Sequence, residues 1–62
     1  MCELTAFLDK DIVYRYVVYA KIEEEDLVLK NALGVDKRMK GSRIVEVDMI
    51  SKRIVLSSKQ RA

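Results

Sequence analysis

The stretch that most constrains this chain is Ile12-Val13-Tyr14-Arg15-Tyr16-Val17-Val18-Tyr19, in which every residue but Arg15 is β-branched or aromatic. Branching at Cβ restricts a side chain against the preceding helical turn, whereas the same shape packs well on a pleated surface. The run therefore predicts a strand. Upstream, Cys2, Leu4, Ala6 and Leu8 alternate with Glu3, Thr5 and Phe7, the period of two of a half-buried strand. Downstream, Val45, Val47 and Met49 alternate with Glu46 and Asp48. After a turn at residues 50–52, Ile54 and Leu56 take one face of a second strand, so residues 45–57 predict a hairpin. With no proline and only Gly34 and Gly41, acidic and polar clusters must carry the turns: residues 8–11, 24–26, 34–37 and 51–52.

Residues 20–33 admit two readings. Ile22, Leu29 and Leu33 have helix-compatible spacing, with Gly34 placed as a C-terminal cap. The alternative puts Ile22 on one short strand, turns at residues 24–26, and runs residues 27–33 as the next strand. We adopt the strand reading. The chain is then all-β, one domain over residues 1–62 with five to six short strands. Strands this short and mostly one-sided must close on themselves, giving a small antiparallel β-barrel or a sharply curled sheet.

At 62 residues the core is thin, because a chain of this size buries only about 60% of its unfolded surface. One cysteine cannot form an internal disulfide, so a partner subunit, a metal, or both are expected to supply stability. A lone thiol persists most simply in a reducing compartment. No run of about 18 apolar residues occurs, and Met1-Cys2-Glu3 lacks the basic segment of a signal peptide. These features predict a cytoplasmic protein.

The residue inventory points away from catalysis. No histidine is present, so the usual general base at neutral pH is missing. Ser42, Ser51, Ser57 and Ser58 have neither a nucleophile elbow nor a phosphate-cradling glycine loop beside them. The acids Glu23 to Asp26 lack the alternating ligands and central glycine of a calcium loop. The expectation is a binding protein, not an enzyme.

Cys2 carries the main functional question. In one reading it continues the inward face of Leu4, Ala6 and Leu8, as small buried cysteines often do. In the other it is a metal ligand: removal of Met1 would leave an amine and a thiol on one residue, and the backbone amides of residues 2 and 3 are alternative nitrogen donors. Thiolate with nitrogen donors suits Ni(II) or Cu(II) in a flat array better than tetrahedral Zn(II). One chain supplies one sulfur and no imidazole. A two-fold dimer doubles that set to two thiolates and two nitrogens, and such a protein would store or deliver the ion.

The opening Met1-Cys2-Glu3, the acidic cluster before Leu27-Val28-Leu29, and Ile44-Val45-Glu46-Val47-Asp48-Met49 leading through a turn to Arg53-Ile54-Val55-Leu56 together resemble the CooT family of small nickel-binding proteins. The similarity covers nearly the whole chain. It implies a small SH3-like β-barrel, a homodimer, and a nickel ion held by Cys2, with no other side chain carried over as ligand. It further implies an accessory role in nickel insertion into carbon monoxide dehydrogenase, a metalloenzyme recipient. The chain departs from the family pattern at residues 31–43, where Arg38-Met39-Lys40-Gly41-Ser42-Arg43 is unusually basic.

That segment supports a competing reading. Residues 1–31 carry a net charge of −3 and residues 32–62 of +5, so the charges are segregated. Relatives of the family also carry a predicted RNA-binding label. Lys37, Arg38, Lys40 and Arg43 are suited to phosphates, and Tyr14 with Tyr16, two apart on a strand, to base stacking. The opposing reading makes the tyrosines cross-strand packing anchors and the bases a device that keeps a strand edge soluble.

Overall fold

The computed structural model describes residues 3–58. They form six strands: β1 (Leu4–Leu8), β2 (Asp11–Glu23), β3 (Asp26–Asn31), β4 (Asp36–Met39), β5 (Ser42–Asp48) and β6 (Arg53–Ser58). The all-β expectation holds, and residues 20–33 are strand, turn and strand without a helix. The described residues contain no helix long and apolar enough to cross a membrane.

The β-branched run does more than form a short strand. It is the centre of a 13-residue strand, β2, which continues through Ile22 to Glu23. Its first part pairs with β1, from Leu8↔Asp11 to Leu4↔Val17, and its last part with β3, from Val17↔Asn31 to Glu23↔Asp26. The register shifts twice against β1 and once against β3. Each such bulge inserts a residue on one strand, bends it and increases its twist. At the bulge opposite Leu4 and Ala6, Tyr16 takes a left-handed backbone conformation with φ of 61°.

Hydrogen-bonded strand order is β4-β3-β2-β1-β6-β5, one sheet that differs in two details from a closed antiparallel barrel. First, β1 and β6 are parallel, with Ala6 beside Ile54 and Leu8 beside Leu56. No turn joins these two strands, so no hairpin geometry dictates their direction. The parallel register is the one that places inward residues beside inward residues. Second, no ladder joins the edge strands β4 and β5. They are nevertheless linked by only Lys40 and Gly41, the latter at φ of 66°. Two residues span so little distance that the sheet must curl until its edges meet at this corner, and β3 touches β5 across the interior.

The curl encloses Ala6, Val17, Leu27, Leu29, Ile54 and Leu56, with Leu4, Leu8, Val13, Tyr14, Ala20, Met39 and Ile44 packed against them. Ile54 and Leu56 share the inward face, as the hairpin pattern requires. That hairpin begins earlier than its apolar alternation suggests, because β5 starts at Ser42 and Met49 lies in the turn. The strand expected over residues 27–33 ends at Asn31, and β4 has no counterpart in the sequence reading. Its four residues, Asp-Lys-Arg-Met, carry too little apolar signal to be read as a strand.

Turns fall at three of the four acidic and polar clusters, whereas in the cluster at residues 34–37 Asp36 and Lys37 open β4 and the turn lies at residues 32–34. In the first three, Asp9, Glu24 and Lys52 stand at φ of 58°, 60° and 61°, doing work more usually given to glycine. The left-handed region costs an L-residue on the order of 1 kcal/mol. Tyr16→Gly is therefore expected to leave stability unchanged or raise it slightly. Tyr16→Val, β-branched in the same conformation, should lower it by about 1 kcal/mol or more. Urea unfolding of both variants checks this.

Candidate functional site

The chain enters β1 beside the β5–β6 turn. The Thr5 N–H donates to the Lys52 carbonyl at 3.0 Å, and Thr5 pairs with Arg53. Asp48 builds that turn: its Oδ1 accepts the N–H groups of Ile50 at 3.0 Å and Ser51 at 3.2 Å. The Ser51 side chain, then these backbone donors and the Arg53 charge, hold the Asp48 carboxyl below its ordinary range. Arg53 lies 3.8 Å from Asp48 and 4.0 Å from Glu46. The turn lifts Ile50 into solvent at 95% exposure, next to half-exposed Met49.

Cys2, the expected metal ligand, lies outside the described residues. Among the described residues no group of three or more histidine, cysteine, aspartate or glutamate side chains is arranged to hold a metal. Within the acidic cluster, Glu23 and Asp26 are paired with Arg38.

The six residues of the basic and aromatic reading do not share one setting. Arg38, on β4, forks between Asp26 at the start of β3 and Glu23 at the end of β2, with both contacts at 2.9 Å. Asp26 also accepts the Gly41 N–H at 3.3 Å. One guanidinium thus ties three strands together, a geometry that a lysine ammonium cannot reproduce, and Asp26 fastens the corner to them. Lys37 stands 5.8 Å from the centre of the Tyr14 ring, and the Tyr14 hydroxyl donates to the Val35 carbonyl at 2.9 Å. Tyr14 is half-buried against the core, whereas Tyr16 is 60% exposed on its bulge. Alternation does not carry across a bulge, so spacing of two no longer places the rings alike. Lys40 sits in the corner turn, and Arg43, exposed on β5, pairs in register with Ser57.

Sequence reasoning missed the Arg38 clamp and a hydrogen-bonded loop centred on Asn31. The opposite charges of Glu23 to Asp26 and Lys37 to Lys40 were a signal for the first. For the second, Asn31 three residues before Gly34 was a turn signal.

The Arg38 guanidinium, hydrogen-bonded to Asp26, is the main cause that holds the Asp26 carboxyl below its ordinary value. A carboxylate with a depressed folded-state pKa stabilises the fold above its unfolded value, and that contribution disappears as pH falls through the folded value. Stability is thus expected to fall as pH drops below about 4. Arg38→Met should shrink the part of that acid loss due to Asp26. Urea midpoints of both proteins across pH 2 to 7 measure it, and parallel curves would contradict the clamp.

A family model for CooT, the CO dehydrogenase accessory protein, matches residues 1–57. No curated protein matches the chain. Among solved structures, a crystal structure of a provisionally assigned CooT from Carboxydothermus hydrogenoformans is similar at a TM-score of 0.81 and 30% identity, covering 92% of this chain and 97% of that one.

Proposed function

The chain belongs to the CooT family of CO dehydrogenase accessory proteins, and from that premise we propose that it binds nickel at a homodimer interface and delivers it to CO dehydrogenase. The family is one of accessory proteins and not of enzymes. In the proposed site each chain contributes the Cys2 thiolate and a backbone or terminal nitrogen. The protein holds and releases the ion, its cargo, in the cytoplasm.

The observation that carries this reading is the reach of the family match, which includes Cys2 in a chain with no other cysteine and no histidine. The donor set fits the ion: soft thiolate with nitrogen suits nickel, and two chains complete what one cannot. A surface for the second copy is also available. Val45 and Val47 on edge strand β5, then Met49 and Ile50, are each at least half exposed. They lead to the turn beside which the chain enters β1. Covering such a patch is a common reason for self-association.

The RNA reading ranks second. Arg38 is committed to two carboxylates and the Tyr14 hydroxyl to the Val35 carbonyl, so two of its six residues have partners outside the set.

Titration of the reduced protein with Ni(II), followed by absorption and native mass, tests the reading. A thiolate-to-nickel charge-transfer band is expected to saturate at one ion per two chains and to vanish in Cys2→Ser. Saturation unaffected by that substitution would remove Cys2 from the site.

A further inference from the structure

The loop between β3 and β4, residues 31–35, is built more rigidly than a link between two short strands requires. The Asn31 side-chain oxygen accepts the N–H groups of Leu33 and Val35, both at 3.0 Å. The Asn31 carbonyl accepts the Gly34 N–H at 2.9 Å, and its own N–H donates to the Val35 carbonyl at 3.1 Å. Two bonds fasten the loop to β2: Ala32 N–H to the Tyr16 carbonyl at 2.8 Å, and the Tyr14 hydroxyl to the Val35 carbonyl at 2.9 Å. Gly34 makes the reversal at φ of 84°.

This scaffold presents apolar surface to water. Leu33 is 87% exposed, Val35 is also exposed, and Tyr16 stands exposed on the bulge to which the loop is fastened. An isolated exposed leucine is unremarkable, but one on a loop held by six hydrogen bonds, with exposed Val35 in the same loop and exposed Tyr16 on the strand to which the loop is bonded, has the form of an interface anchor. A partner that seats it has no loop to order on binding, which lowers the entropic cost of association.

The surrounding charges indicate the kind of partner. Arg15, next to Tyr16, and Lys37, above the Tyr14 ring, are exposed and make no ion pair with the described residues. Asp36, the nearby acid, lies 4.0 Å from Lys30. The loop and the β2 and β4 residues next to it therefore offer exposed apolar side chains and two cations without carboxylate partners among the described residues, and their complement is an apolar pocket with an acidic rim.

We propose that the 31–35 loop docks the protein onto CO dehydrogenase, with Leu33 seated in an apolar pocket of the enzyme and Arg15 and Lys37 facing carboxylates at its rim. This assignment rests on the delivery reading above. It places enzyme recognition on a different surface from the β5 edge assigned to the second copy.

Binding of purified apo-CO dehydrogenase to the immobilised protein, by biolayer interferometry at two salt concentrations, tests it. Leu33→Asp is expected to weaken binding at least tenfold and Leu33→Met to stay within about threefold of the parent. Lys37→Glu should weaken binding and flatten its salt dependence. Circular dichroism and nickel stoichiometry identify any variant that has lost its fold, with Leu33→Ser as the substitute for Leu33→Asp in that event. Binding by the parent that survives loss of the Leu33 side chain overturns the docking assignment and leaves the delivery reading intact. Absence of binding by the parent overturns both. Parent binding to a single-stranded RNA oligonucleotide in place of the enzyme, lost in Lys37→Glu, does the same in favour of RNA.

Discussion

The bend in β2 is the constraint on which the other elements depend. One 13-residue strand pairs with β1 along its first part and with β3 along its last, meeting both at Val17, which is buried at the junction. A straight strand of this length would give a flat sheet, and six short strands in a flat sheet cannot enclose a core. The bulges along β2, with Tyr16 in the left-handed region, turn the two halves toward each other. Leu27 and Leu29 from one half then meet Ala6, Ile54 and Leu56 from the other. The unpaired edges converge for the same reason, so that Lys40 and Gly41 suffice to pass from β4 to β5.

Charge has a structural role before it has a functional one. The sequence segregates acids toward its first half and bases toward its second, which suggests a basic binding face. Folding brings some of those bases back onto the acids. Arg38 reaches Glu23 and Asp26, and Arg53 lies near Glu46 and Asp48 within its own hairpin. Exposed ion pairs contribute little individually, but the Arg38 fork is bidentate across two acids from different strands and fixes the register of an edge strand only four residues long. The fork adds to the ladder that β4 forms with β3 along its four residues and to the packing of Met39 against the core.

The surface proposed for a second copy and the surface proposed for the enzyme are separate parts of the fold, the β5 edge with its turn and the Asn31 loop. The chain enters β1 beside the Asp48 turn, while the Asn31 loop flanks β2 on its other side. Each surface includes apolar side chains on a turn with an acidic or amide residue at its base, Met49 and Ile50 at Asp48 and Leu33 at Asn31, while Val45 and Val47 stand on strand β5 itself.

Much was legible from local pattern. The β-branched run, the inward series Leu4, Ala6 and Leu8, and the alternation through Ile54 and Leu56 specified strands and faces, since side-chain direction in a strand has a period of two. Acidic clusters marked turns because there were few glycines and no proline to do so. The resemblance around Cys2 and the 44–56 hairpin indicated the family that the match over residues 1–57 shows. What remained hidden was set by contacts distant in sequence. The four residues of β4 became a strand through backbone pairing with β3 and the Arg38 fork, the parallel β1–β6 pair depended on matching inward faces, and the bulge at Tyr16 broke the alternation that had put Tyr14 and Tyr16 together. Sequence by itself determined most of the segments that would pair as strands and the inward series Leu4, Ala6, Leu8, Ile54 and Leu56, because a period of two is a local property, but the equally regular series Val45, Val47 and Met49 lies exposed. Only the tertiary structure decided which charges remained available and which apolar side chains faced water, because both depend on neighbours supplied by another part of the chain.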